Sequence, residues 1–188
     1  MVFSIVSFAQ DFSKNLAIAN SSYSSGKLED ARFAMQQMLN DIDLIIGKEV
    51  MKMLPIKMEA MTSNPVNDNV TTNTGLAGVI IHRAYGTEAK SAEIDMMSNS
   101  PLVSSINAIL SIPFMGNSGD GTQKTVKVKG YKGILQKNVN TDNNQTDYTL
   151  QIPFGSTLLT FNAKKSTEEE VLRLVNTIPL SEIAKKLQ

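Results

Sequence analysis

The chain has 188 residues, 41% of them hydrophobic, with 18 basic side chains balanced by 18 acidic ones. That is enough apolar material for the core of one domain, and it leaves no charge excess to grip nucleic acid or to form an acidic tail. It contains no cysteine and a single histidine, His82, which excludes disulfides, thiol nucleophiles and cysteine-based zinc or iron-sulfur sites. No GxxxxGK[ST] or GxGxxG phosphate loop and no GxSxG elbow occurs.

The first ten residues read MVFSIVSFAQ, an apolar run with small residues, Ser7 and Ala9, at the −3 and −1 positions that a signal peptidase reads. On this reading residues 1–9 are the remnant of a signal peptide, the true start lies upstream, cleavage leaves Gln10 first, and the protein is exported to the periplasm or beyond. The alternative is a short buried N-terminal strand. No other segment reaches the ~18 apolar residues of a membrane span.

Residues 10–188 then read as one α+β domain: a helical hairpin over 10–61, a loop over 62–75, and an antiparallel sheet with C-terminal helices over 76–188. Phe12, Leu16, Ala19 and Tyr23 form one helical stripe that Ser24-Ser25-Gly26 ends. A second helix is expected from Lys27 to Leu54, stopped by Pro55 and roughly 40 Å long. Its inward face is expected to carry Leu28, Ala31, Met35, Leu39, Ile42, Ile46, Val50 and Met53. Phe33, Leu44 and Met51 recur about 140–160° away. Three large apolar residues there mark a second covered face, which we assign to a partner or to a second copy of the chain, a homodimer through the long helix.

Asn20-x-x-Tyr23-x-x-Gly26-Lys27-Leu28-Glu29-Asp30-Ala31 resembles the junction between the two helices of a tetratricopeptide repeat. In that junction Gly makes the turn, and the aromatic and Ala allow close helix approach. It occurs once, so it implies a helical hairpin and not a solenoid.

Six strands are expected: Leu76–Tyr85, Ser91–Met97, Thr125–Lys129, Gly133–Lys137, Asp147–Ile152 and Thr157–Phe161. Short turns join them, which favours an antiparallel sheet. Ser100-Pro101 opens a short helix through about Leu110. Ser166-Thr167-Glu168-Glu169 reads as a capping box, with Val171, Leu172 and Val175 inward, and a last amphipathic turn or two follows Pro179. In outline this half is similar to PsbP-like α/β sandwiches and to secreted Gram-negative bacterial proteins of unknown function, a likeness that carries over no catalytic residue.

Four constellations bear on chemistry. Met35-x-x-Met38, Met51-x-Met53 and Met58-x-x-Met61 suit core packing first, a greasy partner groove second and Cu(I) ligation third. His82 alternates onto the same strand face as Ile80 and Ala84, where Asp95 of the paired strand can orient it for a serine hydrolase; no serine is marked by the local sequence. Lys124, Lys127, Lys129, Lys132 and Lys137 fit the solvent face of a strand better than a nucleic-acid surface, which favours Arg. Asp142, Asn144 and Asp147 lack the Gly and distal Glu of a calcium loop. The reading that results is a non-catalytic binding domain of the envelope for a protein, peptide or lipid-like ligand, without cofactor or nucleic-acid partner. The alternatives are a hydrolase using His82 and a methionine-based copper protein.

Overall fold

Two helices, α1 (Ser4–Ser24) and α2 (Leu28–Met53), open the computed structural model. It describes residues 4–72, 78–112, 117–141 and 145–187, with side chains from Asp11 onward. The backbone is helical across Ala9 and Gln10, so the short N-terminal strand is replaced by an earlier helix start. Gly26, at φ 73°, turns the chain between the helices, and the Lys27 amide donates back to the Ser22 carbonyl at 2.9 Å. This left-handed residue closes α1 as a C-terminal glycine does. The close approach of α1 and α2 is made by small side chains: Ala19, Ser22, Ala31 and Ala34 are buried, whereas Tyr23, expected to share in it, is exposed.

After Pro55 come a two-residue ribbon, β1 (Lys57–Met58) with β2 (Met61–Thr62), and a 3₁₀ turn at Pro65–Asn67. The span expected to be a loop over 62–75 also contains a strand, β3 (Asn69–Thr72), which pairs with β4 (Val79–Thr87). Its sequence, NVTT, is that of a polar edge strand, so neither apolar periodicity nor length marks it. The expected strand start at Leu76 lies outside the described residues.

The sheet therefore has seven antiparallel strands, not six, in the order β3-β4-β5-β9-β8-β7-β6. The remaining strands are β5 (Lys90–Met97), β6 (Gln123–Val128), β7 (Tyr131–Asn140), β8 (Gln145–Phe154) and β9 (Thr157–Ala163). Consecutive strands pair throughout β6 to β9. The last of them returns to lie beside β5, with α3 (Leu102–Ser111) bridging the gap in sequence. The Ser100 hydroxyl accepts from the Leu102 amide at 3.4 Å, and α3 opens one residue later than expected, with Pro101 at its N-cap. α4 (Glu168–Val175) is capped one residue later than expected: Thr167 accepts from the Glu170 amide, and Ser166 is buried before it. α5 (Leu180–Lys186) buries Leu180, Ile183 and Ala184.

Alternation along the strands sorts the two faces. Ile81, Tyr85, Ile94, Met96, Leu150, Ile152, Leu159 and Phe161 point to one side. There they form the main core with the last turn of α2 (Val50, Met51, Leu54) and with α4 and α5. The opposite face is covered by α3 at one end, where Val103 and Ile106 meet Ile134 and Leu158. Helices from both chain ends thus share one face, as expected, and a third covers part of the other.

The inward face of α2 differs from the expected one. Leu28, Met35, Leu39 and Ile42 are exposed, while Ala31, Ala34, Asn40, Gly47, Val50 and Met51 are buried. The cause is geometric. At about 100° per residue, Ala31, Ala34 and Met38 point to α1, whereas Asn40, Gly47, Val50 and Leu54 point to the sheet from the other side of the helix. α2 is a spacer between two layers, docked on each by small residues, and its largest apolar side chains point sideways.

Candidate functional site

The sideways stripe is the most conspicuous surface of the described residues. Leu28, Met35, Leu39 and Ile42 fall within an arc of about 60° on α2, a quarter turn from both the α1 side and the sheet side. α1 runs antiparallel to α2, so the residues a quarter turn from its Ala19–Ser22 contact on that same side are Phe12, Leu16 and Tyr23. Six of these seven side chains are exposed, from 41% at Ile42 to 66% at Tyr23, and Phe12 is half-buried. The exposed Arg32 borders the arc, about 20° from Leu39, and is the charged residue nearest to it between Leu28 and Ile42. Towards its C-terminal end the stripe runs under cover: Ile46 and Met53 pack partly against the main core. There Lys186 of α5 bonds Glu49 at 2.5 Å and holds that carboxyl below its usual range, mainly through the hydrogen bond.

Phe33, Leu44 and Met51, the residues expected to meet a partner, do not form one surface. Phe33 is 68% exposed on the opposite side of the hairpin, Leu44 is half-buried, and Met51, at 8%, belongs to the core. They share one helical stripe, but that stripe passes beneath the sheet where α2 docks. Sequence reasoning placed the outer surface on the wrong stripe because it assigned the larger side chains to the interior.

Between the two helices sits an acidic residue, Asp41, whose Oδ2 is buried without a hydrogen-bond partner among the described residues. Burial, and then the charge of Asp11 on α1, raise its pKa above the ordinary 3.8, and a hydrogen bond from Asn15 opposes them. A raised folded-state pKa means that the folded chain binds the proton more tightly than the unfolded one. Asp41 therefore adds stability as pH falls from its raised value towards 3.8, and opposes folding when ionised at neutral pH. We expect Asp41→Asn to raise the melting temperature at pH 7 and to flatten its rise as pH falls towards about 4, read by thermal denaturation monitored by circular dichroism. A lower melting temperature at pH 7 would show that Asp41 is held by partners that favour its charge.

On the opposite, partly covered sheet face, His82 and Asp95 lie directly across β4 and β5. The His82 Nδ1 is 2.7 Å from the Asp95 Oδ1, both side chains being about one-third to one-half exposed. Such a carboxylate orients an imidazole and leaves Nε2 for chemistry. The cross-strand neighbours of the pair are Asn69 beside His82 and Thr160 beside Asp95, so the register supplies no serine. A recess of about 210 Å³ borders Asp95, with Ile80, Met97, Leu102 and Leu158 among its walls; His82 does not line it.

The methionines divide. Met51, Met58 and Met61 are core residues, Met38 and Met53 are half-buried, and Met35 is exposed. Among the described residues, no three His, Asp or Glu side chains gather as metal ligands. In the lysine stretch, Lys124 pairs with Glu168 and Lys129 donates to the Ile178 carbonyl at 2.9 Å, so part of it ties β6 and its turn to the helices. Asp142 and Asn144 lie outside the described residues.

Arg83 carries no mark in composition or motif, yet it is the most densely bonded side chain near the core. It alternates inward with Ile81 and Tyr85, grips both Asp68 oxygens (Nε to Oδ1 3.0 Å, Nη2 to Oδ2 2.6 Å), and donates to the Leu54 carbonyl at 3.1 Å. Tyr85 donates to the Pro55 carbonyl at 2.8 Å, and burial pushes its hydroxyl up to about 12. The signal was available: period-two alternation puts Arg83 inward, and an inward Arg requires a buried acid. These bonds hold the end of α2 and thereby aim the hairpin.

No helix among the described residues is long and apolar enough to cross a membrane. No family model, curated protein or solved structure gives a significant match to the chain.

Proposed function

We propose that this chain is a non-catalytic, exported binding domain of the bacterial envelope, which engages a protein surface through the apolar side of its helical hairpin. The observation that carries the reading is the apolar face of Phe12, Leu16, Tyr23, Leu28, Met35, Leu39 and Ile42, six of them exposed, with Arg32 at its edge. Single exposed apolar residues are ordinary, whereas a contiguous patch of this kind marks an interaction site. A protein is favoured over a lipid surface. Residues 11–53 carry five basic and six acidic side chains, which gives the hairpin no attraction for anionic headgroups.

Export rests on the Ser7-Phe8-Ala9 sequence, and loss of nine residues leaves α1 its Phe12, Leu16 and Tyr23. One experiment addresses both parts. Photoreactive benzoylphenylalanine replaces Met35 or, as a control, the exposed Lys132 of β7, cells are irradiated, and the envelope fraction is analysed by intact mass. Light-dependent protein adducts from position 35 and none from 132, on a chain that begins at Gln10, are expected. Absence of adducts at 35 overturns the binding reading, and recovery with Met1 retained overturns export.

A further inference from the structure

We infer that the apolar side of the hairpin is closed by a second copy of this chain, packed antiparallel about a twofold axis near Met35. Four helices then form a bundle across the dimer. The inference rests on the binding reading above and names its partner.

Three observations point to a copy of the same chain. The first is spacing. Leu28, Met35 and Ile42 recur every seven residues and are all exposed, the period at which one helix meets another along a seam. The row is also symmetric about Met35. An antiparallel twofold there sets Met35 against itself and Leu28 against Ile42 of the other copy, large apolar on large apolar, as an isologous contact requires, with Leu39 facing Ala31 and Arg32 facing Met38 beside them.

The second is area. Taking roughly 150–200 Å² per large side chain, the low end of the aromatic range, the fractional exposures of the six leave about 550 Å² uncovered, towards the upper end of what a monomer shows. A standard interface takes about 800 Å² from each partner, and about two-thirds of a homodimer interface is apolar. The patch supplies that share, and the polar positions beside it complete the rim.

The third is architecture. α1 and α2 make an antiparallel pair docked by small residues, Ala19, Ser22, Ala31 and Ala34, with one apolar side left over. That is half of an antiparallel four-helix bundle, and the missing half has the same shape and chemistry. Phe33 and Ile18 point to the other side and take no part. α5, bonded through Lys186 to Glu49, closes the end of the stripe nearest the sheet, so the two sheet domains lie at opposite ends of the bundle.

The chain has no cysteine, which makes cross-linking a direct test. The full chain carrying Met35→Cys, Leu28→Cys, Ile42→Cys or Phe33→Cys is oxidised at micromolar concentration, singly and in mixtures, and examined by non-reducing electrophoresis beside sedimentation equilibrium of the wild type. We expect a wild-type dimer and a disulfide dimer from M35C alone. L28C with I42C should cross-link strongly when mixed and weakly when separate, and F33C should give none. M35E with I42E, both on the exposed face, should weaken the dimer about a hundredfold with unchanged helical circular dichroism. A monomeric wild type overturns the inference. So does a dimer that F33C traps and M35C does not, or one that M35E with I42E leaves intact. The cysteine changes are small and solvent-facing, so the result stands even where the charged variant fails to fold. If the wild type is monomeric while the photoreactive residue at 35 captures a different protein, self-association falls and the binding reading stands. If it captures nothing, both fall.

Discussion

Arg83→Ala should destabilise the fold by about 3 kcal/mol, the low end of the range for breaking a buried ion pair. Three acceptors lose their donor at once: both oxygens of Asp68, which bond Nε and Nη2 at 3.0 and 2.6 Å, and the Leu54 carbonyl at the end of α2. The Arg83 side chain is 10% exposed and that of Asp68 18%, so water replaces the lost bonds poorly. Lysine is no remedy, since one ammonium cannot present the planar fork that meets two carboxylate oxygens and a carbonyl together; we expect Arg83→Lys to recover less than half of the loss. Arg83→Met with Asp68→Leu should be much closer to wild type than Arg83→Met alone, because it removes the orphaned charge together with its partner. Urea denaturation of the wild type, Arg83→Met, Asp68→Leu and the double variant supplies the cycle. If Arg83→Ala costs under about 1 kcal/mol, the size of a surface pair, the clamp does not hold the end of α2.

The elements that were legible in the sequence are those with local causes. Gly26 and Pro55 bracket α2 because one residue needs a positive φ and the other cannot continue a helix, and neither depends on the rest of the fold. Ser100 before α3 and a hydroxyl cap on α4, at Thr167 in place of the expected Ser166, act through bonds spanning two or three residues. The six longer strands follow from alternation, which also puts His82 on the face of Ile80 and Ala84 with Asp95 on the paired strand; that the two stand directly opposite is a matter of register. What was not legible depends on the partner of each surface. β3 is a strand because β4 offers it an edge, and Asn-Val-Thr-Thr says nothing of that. The adjacency of β5 and β9 joins residues more than sixty positions apart. The exposed face of the hairpin is not legible from side-chain size, because size does not measure burial here. Where two layers approach closely, the buried residues are the small ones, and the large ones are pushed to the side. Phe33, Leu44 and Met51 illustrate the limit: periodicity grouped them correctly on one stripe, but only the docking point of α2 determines that Met51 is core and Phe33 is surface.

Gly47 is where that docking can be tested. A Cβ on it would stand 2.4 Å from Val79 Cγ2 and 2.6 Å from Val70 Cγ1, separations that no packed methyl tolerates. Both valines are β-branched, and restricted side-chain torsions leave them little room to turn away. Glycine in a helix costs about 1 kcal/mol relative to alanine, so a helix free of the sheet would gain from Gly47→Ala. In the folded chain the overlap outweighs that gain, and we expect Gly47→Ala to cost about 1–2 kcal/mol and Gly47→Leu about 3 kcal/mol or more. The sign reverses once the obstruction is removed. In a background of Val70→Ala with Val79→Ala, itself destabilised by the cavities it makes, adding Gly47→Ala should be neutral or favourable by up to about 1 kcal/mol. Thermal and urea unfolding of the four combinations reads this coupling directly. A Gly47→Ala that stabilises the wild-type background would mean that α2 does not lie this close to β3 and β4. The sideways orientation of Met35 and Ile42, which follows from that docking, would then fall with it.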